Sequence, residues 1–349
     1  MCVIVFEACR GFAGEPTCWQ IGQLLQHQEQ LIRSARCDYA VTVIPTSETD
    51  AARVRAVYIS RGQGEQYARS IMTDKRASAG SYKAQWLRKG PMEREDKTSV
   101  TESLISTKAF DGNVVRTLGQ SVDGPIAFID SAETGHFSNA NRLEPFAFLF
   151  EYINEPYSQL IQTSPDCRVS SRRYHDTDGL EVSFVHPKFL YMRFVLVLDE
   201  KYRLVQRDEI MQRTGDKEPR LYERHEFTDY KAYDDPSGEQ IWFPSHALYR
   251  YYMGNMPDGS PVNHTTKQIE ITSLEFNVNI PDDVFTLDIP KNARVYDRLT
   301  GRGWLDKEPA RMAHSASRTR SNLWLIGAGI ALPLFIIALY YLRRRMHVA

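Results

Sequence analysis

The 349-residue chain has almost no surplus of charge: 43 lysines and arginines face 44 aspartates and glutamates, a net charge of −1. Such a balance supplies no basic field for collecting phosphates, and nucleic acid is not an expected partner. Cysteine is sparse. Cys2, Cys9, Cys18, Cys37 and Cys167 form no CxxC pair and no zinc-like spacing, and an odd number precludes a fully paired disulfide framework. Cys18 and Cys37 flank an expected helix, which would hold them well over ~20 Å apart at helical rise, so free or partly buried thiols are expected.

Catalytic signatures are equally scarce. The nine histidines make no HExxH, and there is no GxSxG elbow, P-loop or GxGxxG. RGQGEQ at 61–66 has two glycines without the strand-turn-helix context and reads as a loop. The acidic clusters in SRRYHDTDG and YKAYDDPSG fall at turns, where aspartate serves the backbone. His175 and His186 read as surface or strand-end residues. No catalytic residue, metal or cofactor is therefore expected.

Long apolar runs are missing except for one. Leu323 to Leu342, LWLIGAGIALPLFIIALYYL, contains twenty uncharged residues, enough for a helix across the ~30 Å core of a bilayer. Trp324, Tyr340 and Tyr341 suit the two interfaces, and Arg343, Arg344 and Arg345 follow as a polar stop. Pro333 is tolerated in such a helix. Basic residues are nearly balanced across the segment, with a slight lean to a cytoplasmic tail. The opening MCVIVFEACRGFAGEP lacks a basic n-region, and Glu7 and Arg10 interrupt its apolar start. Residues 1–17 then read as the remnant of an export signal whose start lies upstream, or the chain is tail-anchored with a cytosolic domain.

What is there is mostly strand. Thr17 can cap an amphipathic helix over Cys18 to Arg36, followed by a strand from Asp38 to Ile44. Residues 46–81 read as an insertion, with a strand at Val54 to Ser60 and a helical piece after it. YKAQWLRKGPMEREDK predicts a hairpin, and KAFDGNVVRTLG an Asp-Gly turn into another strand. Phe146, Phe148 and Phe150 alternate, but Glu144 to Ile161 is assigned to a second covering helix. From LEVSFVHP to KQIEITSLEFNVNI, strands and short turns alternate as a long antiparallel meander with one apolar face. That face is either packed core beneath the two helices or the lining of a cavity.

The order of these elements, with WLRKGPMERED, FDGNVVRTL, GLEVSFV, LDEKYRLVQRDEI, GEQIWFP and DDVFTLDIPKNARVYD, resembles the LolA-like outer-membrane lipoprotein-sorting proteins, in particular their divergent planctomycete-type members. The last motif carries most of it: Asp283, Val284, Phe285, Thr286, Pro290, Arg294, Val295, Tyr296 and Asp297. The resemblance spans about Trp19 to Asp297. It implies an α+β, mainly antiparallel fold, a curved unclosed β-barrel with a helical lid over residues 18–300. A linker at 301–322, the transmembrane helix at 323–342 and a basic tail at 343–349 would follow.

The expected function is non-catalytic: a membrane-tethered, periplasmic protein binding a lipid or lipoprotein acyl chain. Trp86, Phe184, Phe194, Leu196, Ile269 and Ile271, chosen by alternation, are the candidate wall residues. A tethered protein cannot ferry cargo, which sets this chain apart from soluble carriers. A scaffold or envelope sensor docking a protein partner is the alternative, and an unrecognised membrane-bound hydrolase the third reading.

Overall fold

A computed structural model describes residues 15–60, 81–99, 104–121, 124–131, 149, 151–152, 155–212, 218–256, 259–300 and 302–304. The expected membrane segment with Trp324, Pro333, Tyr340, Tyr341 and Arg343 to Arg345, the N-terminal segment before residue 15 and the loop at 61–66 lie outside them. Among the described residues no helix is long and apolar enough to cross a membrane.

The chain opens with helix α1 (Cys18–Leu31), whose start is fixed by a capping box: the Thr17 hydroxyl accepts from the Gln20 amide, and the Gln20 side chain accepts from the Thr17 amide. The helix ends earlier than its periodicity predicts. Strand β1 (Ser34–Ile44) takes over almost at once, because Ala35, Cys37, Tyr39 and Val41 are more completely buried by alternation than they would be on a helix face. Helix α2 (Glu48–Ser60) follows. A strand was expected from Val54, but Val54 and Val57 recur at helical spacing and bury with Ala51 against Val262.

Strands β2 (Tyr82–Lys89) and β3 (Met92–Ser99) form the anticipated hairpin across Gly90-Pro91, with Gly90 at a positive φ of 55°. Strands β4 (Leu104–Phe110), β5 (Val114–Ser121) and β6 (Gly124–Ser131) continue the meander. The second long helix expected at Glu144 to Ile161 is not seen as such: β7 (Glu151–Tyr152) pairs with β8 (Glu155–Pro156), and a short helix α3 (Tyr157–Thr163) follows Pro156.

The second half is the expected meander: β9 (Cys167–Tyr174), β10 (Thr177–Val185), β11 (Met192–Leu198), β12 (Leu204–Met211), β13 (Arg220–Asp234), β14 (Gln240–Asn255) and β15 (Pro261–Phe276). A 3₁₀ turn at Asp282–Phe285 leads to β16 (Arg294–Asp297) and β17 (Arg302–Trp304).

Fifteen strands form one sheet in the order β17-β16-β6-β5-β4-β3-β2-β1-β15-β14-β13-β12-β11-β10-β9. Strand β1 joins the two meanders, since it pairs antiparallel with β2 on one side and β15 on the other. Among the described strands only β16 against β6 is parallel. The sheet is unclosed, and its curvature follows from its core. Trp86 on β2 and Phe184 on β10 lie seven strands apart, about 34 Å on a flat sheet, yet both belong to one buried cluster with Ile21 and Leu25 of α1 and Leu160 and Ile161 of α3. Two short helices span that distance only if the sheet wraps round them.

Candidate functional site

The register identifies the concave face residue by residue. Phe184 faces Phe194, which faces Glu209, which faces Glu223, which faces Tyr251. One step along, Val182, Leu196, Arg207, His225 and Tyr249 form the neighbouring row. Alternate residues share a face, so both rows point at the helices. Trp86, Phe184, Phe194, Leu196 and Ile269 are all buried in the same cluster, and Ile271 packs on it half-buried. Alternation thus placed the six on one face. Phe184, Phe194 and Leu196 keep no accessible surface, so in this conformation they are packed against the helices.

The helix pair is fastened at several points. Gly22 lets α1 approach α3 closely: a Cβ there would stand 2.7 Å from Gln162 Cγ and 3.1 Å from the Ser158 carbonyl. The Ser158 hydroxyl donates to Glu29 at 2.7 Å. On its other flank, His27 meets Glu239 at 2.9 Å. At the C-terminal end, Asn277 accepts from the Arg33 amide and donates to the Leu31 carbonyl, both at 2.9 Å.

A disulfide holds the other end of α1. Cys18 is bonded to Cys167 on β9, with the α-carbons 6.3 Å apart. This corrects the expectation of free thiols at Cys18 and Cys167. Only the Cys18 and Cys37 pairing was tested by helical rise; Cys167 is remote in sequence and is brought close by the sheet's curl. Cys37 is a free thiol, buried in the core, and burial pushes its pKa up.

The concave face is also less apolar than expected. At its centre sits a buried polar cluster of residue types that hydropathy assigns to solvent. Arg207 Nη2 lies 3.1 Å from Glu209 and 3.3 Å from Glu223. His225 Nε2 lies 3.4 Å from the same Glu223, and the Tyr249 hydroxyl donates to Glu223 at 3.1 Å. The rings of Tyr152, Tyr157 and Phe194 surround the guanidinium, each centroid 5.9 Å from its carbon. Alternation through LVQRDEIM and RLYERHEF put these charges in phase with Met211 and Phe227; that phase was the available signal.

Burial, and then the charge of Glu223, push the Glu209 carboxyl up to about 8. Burial would raise Glu223 as well, but His225, Arg207 and the Tyr249 hydroxyl outweigh it and hold Glu223 below its ordinary range. Burial and the Arg207 charge push His225 down to about 4. The shifts therefore run in opposite directions across the pair, Glu209 toward its protonated form and Glu223 toward the carboxylate, while the imidazole is driven toward its neutral form. Two carboxyls with pKa values driven apart is an acid–base signature, but here both engage Arg207, and Arg207 and Glu209 are each 3% exposed. No water-accessible substrate surface meets them in this conformation.

His186, read as a surface or strand-end residue, is buried at the end of β10. Its Nδ1 accepts from the Lys188 and Phe189 amides at 3.1 and 3.2 Å, closing the β10–β11 turn. Among the described residues, no group of three His, Cys, Asp or Glu is placed to hold a metal.

Fold and site together define a class: a curved, unclosed antiparallel sheet with two helices clasped in its concavity and a polar knot at its centre. No family model and no curated protein matches the chain. Solved structures similar to it include an outer-membrane lipoprotein-sorting protein domain from Vibrio parahaemolyticus, 12% identical, with 76% of this chain and 95% of that one covered at a TM-score of 0.40. A LolA superfamily protein from Nitrosomonas europaea is 14% identical, with 76% and 97% covered and a TM-score of 0.41. A DUF1329 family protein from Desulfovibrio piger is 11% identical, with 78% and 98% covered and a TM-score of 0.39. The family named from the sequence motifs is thus among the structures this chain is similar to.

Proposed function

We propose that the chain is an extracytoplasmic, non-catalytic binding protein for a lipid or lipoprotein acyl chain, tethered to the membrane by Leu323 to Leu342. The observation that carries this reading is the continuous apolar part of the concave face, Trp86, Phe184, Phe194, Leu196 and Ile269, covered by helices of only 14 and 7 residues. An acyl chain entering there replaces the side chains of the helices, and each methylene it buries contributes about 0.8 kcal/mol. The Cys18–Cys167 disulfide supports the compartment, since such bonds persist where the surroundings are oxidising.

The test is direct. Full-length protein purified from its host in a fluorinated surfactant, which does not mix with hydrocarbon chains, is extracted and assayed by mass spectrometry for bound lipid, then offered a fluorescent fatty acid. Acyl lipid at near-stoichiometric amounts, or saturable uptake of the probe, is expected. Absence of both would sink the reading.

One observation favours a second reading, a scaffold or sensor that docks a protein: the β10–β11 turn presents Leu190 and Tyr191 at 71% and 46% exposure while the concave face is packed shut. Binding of a partner abolished by Leu190→Ser, with no lipid uptake in the same preparation, is its signature.

A further inference from the structure

Helix α1 is tied to the sheet at both ends. Only Ile32 and Arg33 separate its last turn from β1, and its first residue, Cys18, is bonded to Cys167 at the start of β9. Strands β1 and β9 lie seven strands apart, an arc of about 34 Å. A helix of 14 residues is about 20 Å long, and α1 is the chord of that arc. The disulfide therefore holds the helix down on the concave face and holds the edge strand at the far end of the chord.

The other polar fastenings of α1 are of a different kind. The His27–Glu239 pair and the Ser158–Glu29 hydrogen bond are part-exposed contacts that break and re-form thermally. A covalent bond does not open in this way. The buried residues of α1, Ile21, Gly22 and Leu25, all lie within two turns of Cys18, so the half of the helix that covers the core is the half that the bond retains. Phe184, Phe194 and Leu196 keep no accessible surface beneath the two helices, and a ligand reaches them only when that half lifts.

The bond is open to attack. Both of its cysteines are half-buried, beside the exposed Trp19, whereas the free thiol of Cys37 is buried. Cys18 stands in the first turn of α1, where the helix N-terminus favours a thiolate, which makes it the better leaving group. The thiolate of an external dithiol attacks Cys167 Sγ, the S–S bond breaks, and Cys18 departs with the electron pair and takes up a proton. The second thiol of the reductant then displaces Cys167 from the mixed disulfide. Two electrons and two protons pass to the cysteines, and the reductant leaves as a disulfide.

We propose that Cys18–Cys167 is a redox gate on the concave face: closed, it keeps α1 seated and makes entry and exit of an acyl chain slow; opened by a dithiol, it frees the N-terminal half of α1 and makes both fast. This rests on the acyl-binding reading above. The gate sets the rate of exchange, and the apolar face sets what is bound.

The test uses full-length protein in a fluorinated surfactant, with Cys2→Ser/Cys9→Ser in every arm so that the Cys18 and Cys167 thiols are the accessible ones. Uptake of cis-parinaric acid is followed by stopped-flow fluorescence before and after dithiothreitol. Reduction should raise the uptake rate roughly tenfold or more, in proportion to the population of the open form. Cys18→Ser/Cys167→Ser should be fast with or without reductant. Bridging the reduced thiols with dibromomethane, which forms two S–C bonds and releases two bromides, should restore slow uptake that dithiothreitol no longer relieves. Equal or slower uptake after reduction, or a bridged protein that stays fast, overturns the gate and leaves acyl binding standing. Loss of the far-UV β signal on reduction also overturns it, since the bond would then be a staple of the fold. Uptake in neither state overturns the acyl reading as well.

Discussion

Replacing both Cys18 and Cys167 by serine removes a cross-link between residues 149 apart in sequence. In the chain-entropy account, closing a loop of that length restricts the unfolded chain by about 5 kcal/mol. The substitution itself perturbs little, since serine is close to isosteric, and a double replacement leaves no stray thiol. A domain of this size has a urea slope of about 3 kcal/mol/M, so the midpoint should fall by roughly 1.5 M. Urea unfolding followed by tryptophan fluorescence, comparing the oxidised protein with Cys18→Ser/Cys167→Ser, measures it. The loss should be mirrored by adding reductant to the parent chain and absent on adding it to the variant. A midpoint unmoved by either treatment, or Cys18 and Cys167 alkylated as free thiols in protein made in an oxidising compartment, refutes the reasoning and removes the support the bond gives to an exported domain.

Three further outcomes follow from the core. Because Glu209 is held protonated up to about pH 8, its folded form favours low pH, and its contribution to stability is lost as pH rises from the ordinary glutamate range through 8; Glu209→Gln should flatten the decline across that window in a series of melts. His225 acts in the opposite sense, since its pKa is depressed to about 4: stability falls as pH drops from 6.5 toward 4, and His225→Phe should lessen that acid loss relative to the parent. Gly22→Ala should cost about 1 kcal/mol in urea unfolding despite alanine's better helix propensity, because its Cβ would meet Gln162 and the Ser158 carbonyl; a gain in stability would show that α1 and α3 do not pack as closely as described.

Much of the fold was legible because alternation and turn chemistry are local. The β2–β3 hairpin announces itself through Gly90-Pro91, and the β9-to-β15 meander through turn residues at short intervals. The same signals placed Phe184, Phe194, Leu196 and Ile269 on one face. What failed was non-local. Cys18 meets Cys167 only because the sheet curls, and nothing near either cysteine encodes that curl. Helix α2 was mistaken for strand at Val54 to Ser60 because Val54, Val57 and Ile59 with Tyr58 suit both periods over so short a run. The polar knot was missed for a different reason. Arg207, Glu209, Glu223 and His225 share the alternation phase of Met211 and Phe227, but their residue types are ones that hydropathy assigns to solvent, and the pairing of β12 with β13 shows them gathered at the core.

The central claim is that an acyl chain lies on the concave face beneath α1 and α3. A diazirine at the end of a myristoyl glycerol ester, photolysed on the full-length protein and mapped by peptide mass spectrometry, tests it most directly. Labelling should fall on β10, β11 and β15 around Phe184, Phe194, Leu196 and Ile269, and on the facing side of α1 near Ile21 and Leu25. Labelling confined to the exposed Leu190, Tyr191 or Trp19, with those strands and α1 untouched, would contradict it.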